Sequence, residues 1–298
     1  MKTLPDWQLR VAVIGAGPVG LALALLAARQ LPGAQVTLFD ARPADRDVSA
    51  DPRTLALSLG SIQLLQRLEA WDARHAEPIR EVWVSQQSPV LAVPGWLGEP
   101  QVRLAAIDMA VPMLGAVIGY GALVAPMQRA WQAVVAREPA RLTSRFGAPV
   151  SALKNLVDGV EVDAGVAEAC DIAVVAEGGV FGEQKALADL ASDYRQDAWV
   201  GSVTLEGGRP GLAVERFTRH GPAALLPLPG GKRSALVWCV PRRDDPVRDL
   251  DDAQRVAVAD GVTLFIKEHR GVVFIGVRGQ GANGIGPSEL SLAVPDGP

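Results

Sequence analysis

In RVAVIGAGPVG, residues 10–20, Gly15, Gly17 and Gly20 stand at GxGxxG spacing between an apolar run and a helix-forming one. Glycines so spaced let a backbone wrap a pyrophosphate. Gly15 permits a tight turn, Gly17 lets the main chain approach the ligand, and Gly20 lets helix and strand pack closely. The N–H groups and partial positive charge of the following helix start, where Pro18 stands, would face the anion. Asp40, twenty residues beyond Gly20 at the end of AQVTLFD, can accept hydrogen bonds from an adenosine ribose. The motif by itself leaves FAD and NAD open.

A second glycine-rich stretch, VVFIGVRGQGANGIG at residues 272–286, reads as a buried strand running into a loop with backbone donors and no carboxylate. Other chemistries find less support. His75, His220 and His269 form no HxH or HExxH pair, so no metal is expected. Cys170 and Cys239 lie far apart and outside CxxC spacing, which fits buried thiols in a reducing compartment. With 29 Lys and Arg against 33 Asp and Glu, the net charge of −4 gives no field to attract nucleic acid. No acid–base residue is singled out for catalysis.

These residues need elements to hold them. Residues 10–20 form a strand closed by glycines, LALALLAARQ a buried helix and residues 34–40 a second strand, together a βαβ unit with parallel strands. Residues 54–68 show helical spacing around an awkward Gly60. Leu123, Met127, Trp131, Val134 and Val135 share one face of an amphipathic helix. RLTSRF, VSALKN and GVEVDA read as a small antiparallel ribbon leading to the buried strand DIAVVAEGG, and the alternating runs from Tyr194 to Trp238 as an antiparallel sheet.

MKTLPDWQLR carries no apolar core of a secretory signal, which makes the cytoplasm the default address. Residues 109–127 are uncharged and long enough for a bilayer. Pro112, Pro126, Gly115, Gly119 and Gly121 point instead to a buried turn and helix start.

The stretch DPRTLALSLGSIQLL followed by WD, then YRQDAWVGSV, VERFTRHGPAALLPLP and SALVW, resembles the flavin-dependent hydroxylases of ubiquinone biosynthesis, relatives of p-hydroxybenzoate hydroxylase. The likeness runs from about Arg10 to Trp238. It implies FAD as cofactor, with Arg53 near its diphosphate, Asp51 setting the loop of Arg53, and Arg42 as a basic contact near the adenosine end. It implies flavin contacts from Glu177 and Gly178 and from Gly279, Gln280 and Gly281. Phe217, Pro222 and Leu226 would line an apolar cavity for an aromatic substrate.

The chain departs from the family pattern in three places. AEGG stands where members carry ADG, and AVIGYGALVAPM replaces a more polar and basic helix start. The Asp-, His- and Pro-bearing part of the second flavin motif is missing between Gly276 and Gly279. Part of the substrate domain and the C-terminal helices of the family are also expected to be missing. Weak, exchangeable FAD and largely uncoupled NAD(P)H oxidation are the expected consequences.

The expected fold is α/β: a Rossmann-like FAD-binding domain, with a parallel sheet and helices on its faces, plus an antiparallel β-sheet substrate domain. The FAD-binding domain takes residues 1–78, 108–185 and 269–298, and the substrate domain residues 79–107 and 186–268. The resemblance implies an FAD-dependent monooxygenase that hydroxylates an aromatic ring with NAD(P)H and dioxygen. Its substrate would be a small aromatic or prenylated aromatic ubiquinone-pathway intermediate. The alternative is a non-catalytic or weakly FAD-binding relative acting as a binding or assembly module. Other ubiquinone-biosynthesis proteins are candidate partners. No nucleic acid and no transmembrane span are expected, and peripheral contact with the inner membrane is left open.

Gly17→Val is expected to abolish nucleotide binding while leaving much of the fold, because its side chain would stand where the pyrophosphate approaches. FAD titration by fluorescence quenching checks this, and equal affinities would remove the dinucleotide reading.

Overall fold

The computed structural model describes residues 9–49, 51, 53–86, 100–177, 193–206, 208–218, 221–245 and 248, and the backbone of strands 262–269, 272–279 and 292–295. Two compact units divide the chain. The first takes residues 1–53, 61–73 and 119–191, and the second residues 54–60, 74–118 and 192–298.

In the first unit, β1 (Leu9–Ile14) and β2 (Ala34–Asp40) pair in parallel from Leu9↔Ala34 to Ile14↔Phe39. Continuous apolar runs such as VAVI suit this arrangement, because a parallel sheet is covered on both faces. Between them α1 (Pro18–Gln30) buries Gly20, Leu21, Ala24, Leu25, Ala27 and Ala28. This helix packs against both strands and against the helix Tyr120–Arg137. The parallel sheet has the order Ile172–Val175, β1, β2, Leu142–Phe146. Ala12, Ile14 and Phe39 pack with Val150, Val162 and Cys170, at or beside a three-stranded antiparallel sheet of Ala152–Leu156, Gly159–Asp163 and Ala167–Cys170.

RLTSRF, expected in that ribbon, instead supplies the strand Leu142–Phe146 beside β2. Short alternation fits either sheet, and here Arg141 decides. Its buried guanidinium donates to the carbonyls of Ala28 and Ala34, and its own carbonyl accepts from the Val36 amide, so the chain enters alongside β2. The strand Ile172–Val175 was expected to be buried, but it is the sheet's edge and leaves Ile172 and Val175 half exposed. In the helix Tyr120–Arg137, Leu123, Met127 and Trp131 are buried and Val134 and Val135 are half-buried.

Residues 54–68 are not one helix. Thr54–Ser58 is a strand and the helix spans Leu59–Arg67. The strand joins Gly115–Gly119 and Ala76–Ile79 in a three-stranded sheet. There a Cβ on Gly115 would lie 2.2 Å from the Leu57 carbonyl oxygen, so close pairing outweighs helical periodicity. The uncharged stretch 109–127 is divided between the strand Gly115–Gly119 and the start of the following helix. Among the described residues no helix is long and apolar enough to cross a membrane.

The second unit is built on a nine-stranded sheet, in the order Leu292–Pro295, Val272–Gly279, Val262–His269, Gln196–Glu206, Arg233–Pro241, Gly221–Pro227, Leu212–Thr218, Glu81–Gln86, Gln101–Ala105. It is antiparallel except where Gln196–Glu206 meets Val262–His269 and where Leu212–Thr218 meets Glu81–Gln86. Residues 269–298 were expected with the FAD-binding domain, but strands Val272–Gly279 and Leu292–Pro295 pair in this sheet. An apolar run such as VVFIGV satisfies either setting. The facing strand Val262–His269 supplies eight antiparallel partners, from His269↔Val272 to Val262↔Gly279.

Trp131 is fully buried and its indole N–H donates to the Ser144 hydroxyl at 2.9 Å, tying helix Tyr120–Arg137 to strand Leu142–Phe146. Trp131→Ala is expected to destabilise the first unit by about 3–5 kcal/mol, read from the midpoint of denaturant unfolding at an unchanged slope.

Candidate functional site

The glycine turn after β1 is built from three separate constraints. Gly15 has φ +103°, and a Cβ there would lie 2.8 Å from the Ala176 carbonyl group and 2.9 Å from the Glu177 nitrogen. A Cβ on Gly20 would stand 1.8 Å from the Gly15 carbonyl oxygen, so α1 crosses the turn at backbone contact. Gly17 differs from both, because a Cβ there would meet only the Tyr120 hydroxyl, at 3.7 Å. The protein tolerates a side chain at Gly17, whereas a ligand approaching the backbone would not. Gly17 caps α1 without any side-chain hydrogen bond, and Pro18 follows it. The free N–H groups of the first turn are therefore the partners the turn offers an anion.

Asp40 anchors this turn. Its buried carboxylate accepts from the Ala16 amide at 2.6 Å and the Arg42 amide at 2.7 Å, and from the Arg42 guanidinium through two bonds of 2.9 Å. Burial alone would raise the Asp40 pKa, but the bonds from Arg42 and Ala16 prevail and hold it below the ordinary carboxylate range. Arg42 is raised in turn, first by its bond to Asp40. Four donors occupy about as many acceptor positions as a carboxylate has. A ribose hydroxyl thus reaches Asp40 by sharing or replacing an Arg42 bond.

Arg53 and Arg42 both meet Tyr120. The Arg53 guanidinium lies 4.1 Å from the ring centroid, within the range of a cation–π contact, and the Tyr120 amide donates to the Arg53 carbonyl at 2.8 Å. Arg42 Nη1 makes a long contact of 3.5 Å to the Tyr120 hydroxyl. Asp51 grips Arg53 through both the amide and the guanidinium, the shortest bonds running from Nε to Oδ1 at 2.9 Å and from Nη2 to Oδ2 at 2.6 Å, and the Arg53 bond holds the Asp51 pKa down to about 2. The Arg53 side chain is still 63% exposed, so its charge remains available beside the turn.

Tyr120 was missed by motif reasoning. Its signal was GYG at a strand-to-helix junction, since a Cβ on Gly121 would lie 2.6 Å from Ser49 Cα and the Val48 carbonyl oxygen. The loop bearing Arg53 therefore rests on the start of Tyr120's helix. Glu177 follows the edge strand, with its pKa raised first by burial and then by the charge of Asp40. Gly178, Gln280 and Gly281 lie outside the described residues, and Gly279 ends the strand Val272–Gly279 of the second unit.

In the second unit, sheet register brings the three expected substrate residues to one face. Phe217 pairs with Pro222, and Leu226 follows Pro222 by four residues, an even spacing along the same strand. Leu226 packs at the margin of a cluster of Ile79, Val117 and Ala213. Phe217 is 43% exposed, and Val102 and Leu104 extend this open apolar face through Val84 and Val82. The opposite face carries Trp83, Val214 and Leu225, all buried.

A sequence pattern described as an NAD(P)-binding Rossmann-like domain matches residues 13–44, the segment holding the glycine turn and Asp40. Over 252 residues the chain is 29% identical to the 3-demethoxyubiquinol 3-hydroxylase of Escherichia coli (strain K12), covering 82% of this chain and 61% of that protein. It is 30% identical over 238 residues to the ubiquinone hydroxylase UbiL of Rhodospirillum rubrum, covering 76% of this chain and 51% of that one. Both of these relatives carry the names of ubiquinone or demethoxyubiquinol hydroxylases. The chain spans about half to three-fifths of the length of these relatives. The fold is shared with the flavin-dependent monooxygenase PieE, solved with FAD and substrate, at a TM-score of 0.57 and 18% identity, over 85% of this chain and 46% of that one.

Glu177 offers a pH test. Its raised pKa means that its charged form is already disfavoured, and a bound diphosphate would raise it further. Binding of an anionic nucleotide is therefore expected to tighten as pH falls from 8 towards 5. Asp51 and Asp40 stay ionised over that range. Glu177→Gln should tighten FAD at pH 8 by roughly two- to tenfold and flatten the profile. Fluorescence titration across the range measures both, and an unchanged profile would remove Glu177 from the anion's surroundings.

Proposed function

We propose that the chain is the FAD-binding and substrate-sheet portion of a monooxygenase that hydroxylates an aromatic ring, with NAD(P)H as reductant and dioxygen as oxidant. The observation that carries this reading is the glycine turn, in which Gly17 alone among the three motif glycines borders open space, flanked by Arg42, Arg53 and Tyr120. The names of its homologues support a ubiquinone-pathway aromatic as substrate. They do not favour a non-catalytic relative.

In this reading the turn and the first N–H groups of α1 receive the diphosphate of FAD, and Arg53 adds a charge to it. Asp40 fixes the turn and serves the ribose as Arg42 gives way. Glu177 and Gly178 on one side, and Gly279, Gln280 and Gly281 on the other, are the proposed contacts of the flavin half. FAD, once bound and reduced, supplies the oxygen-activating chemistry. Phe217, Pro222 and Leu226 offer apolar surface to the ring and exclude water from it. Other ubiquinone-biosynthesis proteins as partners and peripheral contact with a membrane belong to the same proposal.

FAD uptake followed by absorbance, with NAD(P)H oxidation measured with and without an electron-rich phenol, tests the reading. Arg53→Ala should weaken FAD by about ten- to a hundredfold, the range for one hydrogen bond to a charged group. Arg53→Lys should recover only part, because a point charge does not reproduce the guanidinium fork. A protein that takes up no FAD would overturn the proposal.

A further inference from the structure

On the strands around Phe217, the more exposed face of the second unit's sheet is apolar apart from Glu215 and, at its end beside Phe217, Gln86. On strands Glu81–Gln86, Gln101–Ala105, Leu212–Thr218 and Gly221–Pro227, strict alternation puts Val82, Val84, Val102, Leu104, Phe217 and Ala224 on this side. Glu215 stands among them, with Val84 as cross-strand partner on one side and Ala224 on the other. Neither neighbour can donate a hydrogen bond from its side chain. Glu215 is half-buried, and among the described residues it has no hydrogen bond or ion pair. Its neighbour Arg216 points to the other face, buried, with Nη1 3.3 Å from the Ser85 hydroxyl. The strand thus spends its cation on the buried side and leaves the carboxylate, with all its acceptor positions, on the apolar one.

A carboxylate covered by an apolar ligand loses hydration without compensation, and one that meets an O–H donor gains a charge-assisted hydrogen bond. The surroundings of Glu215 therefore penalise ligands that bring no donor and repel those that bring a negative charge. We infer that Glu215 selects the substrate, accepting a hydrogen bond from the ring hydroxyl of a neutral phenol whose apolar substituents lie on Phe217, Val84 and Ala224. The inference rests on the monooxygenase reading for its aromatic ligand. It adds which residue recognises that ligand, and that aromatic carboxylates are excluded.

Cys239 provides a reporter. It alternates with Val237, the cross-strand partner of Ala224, and so lies on the same face, while Cys170 is buried elsewhere. Three probes of matched shape separate the possibilities: 4-propylphenol, its methyl ether and 4-propylbenzoate. Their dissociation constants are measured by calorimetry, and the rate of Cys239 alkylation by iodoacetamide is followed by mass spectrometry, with FAD titrated in parallel. The wild-type chain should bind the phenol about tenfold or more tighter than the ether, bind the benzoate weakest, and alkylate Cys239 more slowly with the phenol present. In Glu215→Gln the preference should shrink to within about threefold, and the benzoate should gain.

Equal binding of phenol and ether by the wild type would overturn the inference without any variant. So would an unchanged preference in Glu215→Gln that still takes up FAD, or a Cys239 that no probe protects. A chain that binds FAD but shows no phenol preference loses the role of Glu215 and keeps the monooxygenase reading. One that shows the preference but binds no FAD does the reverse.

Discussion

Four hydrogen bonds converge on the Asp40 carboxylate, and the geometry of the first unit's glycine turn depends on them. A buried charge left unsatisfied would cost several kcal/mol. Here the donors come from the turn itself, through the Ala16 amide, and from Arg42 just beyond β2. Satisfying that charge pins the turn to the end of β2. With the turn pinned, Gly15 lies under residues 176–177 and α1 crosses at Gly20, two approaches that leave no room for a Cβ. Motif glycines and acidic residue thus act as one mechanical unit before any ligand is considered.

Charge around that unit is arranged in tiers. Arg42 is held by Asp40, Arg53 is held by Asp51, and Tyr120 lies against both arginines. Each arginine keeps its position through a carboxylate partner, so neither depends on a ligand for order, and Arg53 retains most of its exposure. Glu177 runs counter to this pattern, since burial and Asp40 both disfavour its charge. The second unit solves a different problem. There a sheet sorts its side chains by alternation, burying Trp83, Val214 and Arg216 on one face and presenting Phe217, Val102 and Leu104 on the other.

The sequence by itself determined the βαβ unit, the tight turn at Gly15, the close helix–strand packing at Gly20, and the apolar stripe of Leu123, Met127 and Trp131. These rest on local sterics and short periodicities that need no distant partner. It also put Asp40 at the end of the second strand without showing that Arg42 occupies its carboxylate, because a salt bridge two residues apart depends on rotamers rather than spacing. Tertiary structure decided the rest. Thr54–Ser58 became a strand because the backbone of Gly115 approaches it, and Leu142–Phe146 joined the parallel sheet because Arg141 docks on the end of α1. Val272–Gly279 paired with Val262–His269, since an apolar run carries no mark of the sheet it will enter. Tyr120 reached the arginines, and Glu215 an apolar face, only through contacts and register between segments far apart in the chain. Such pairings are set by which backbones meet, and no local pattern encodes them.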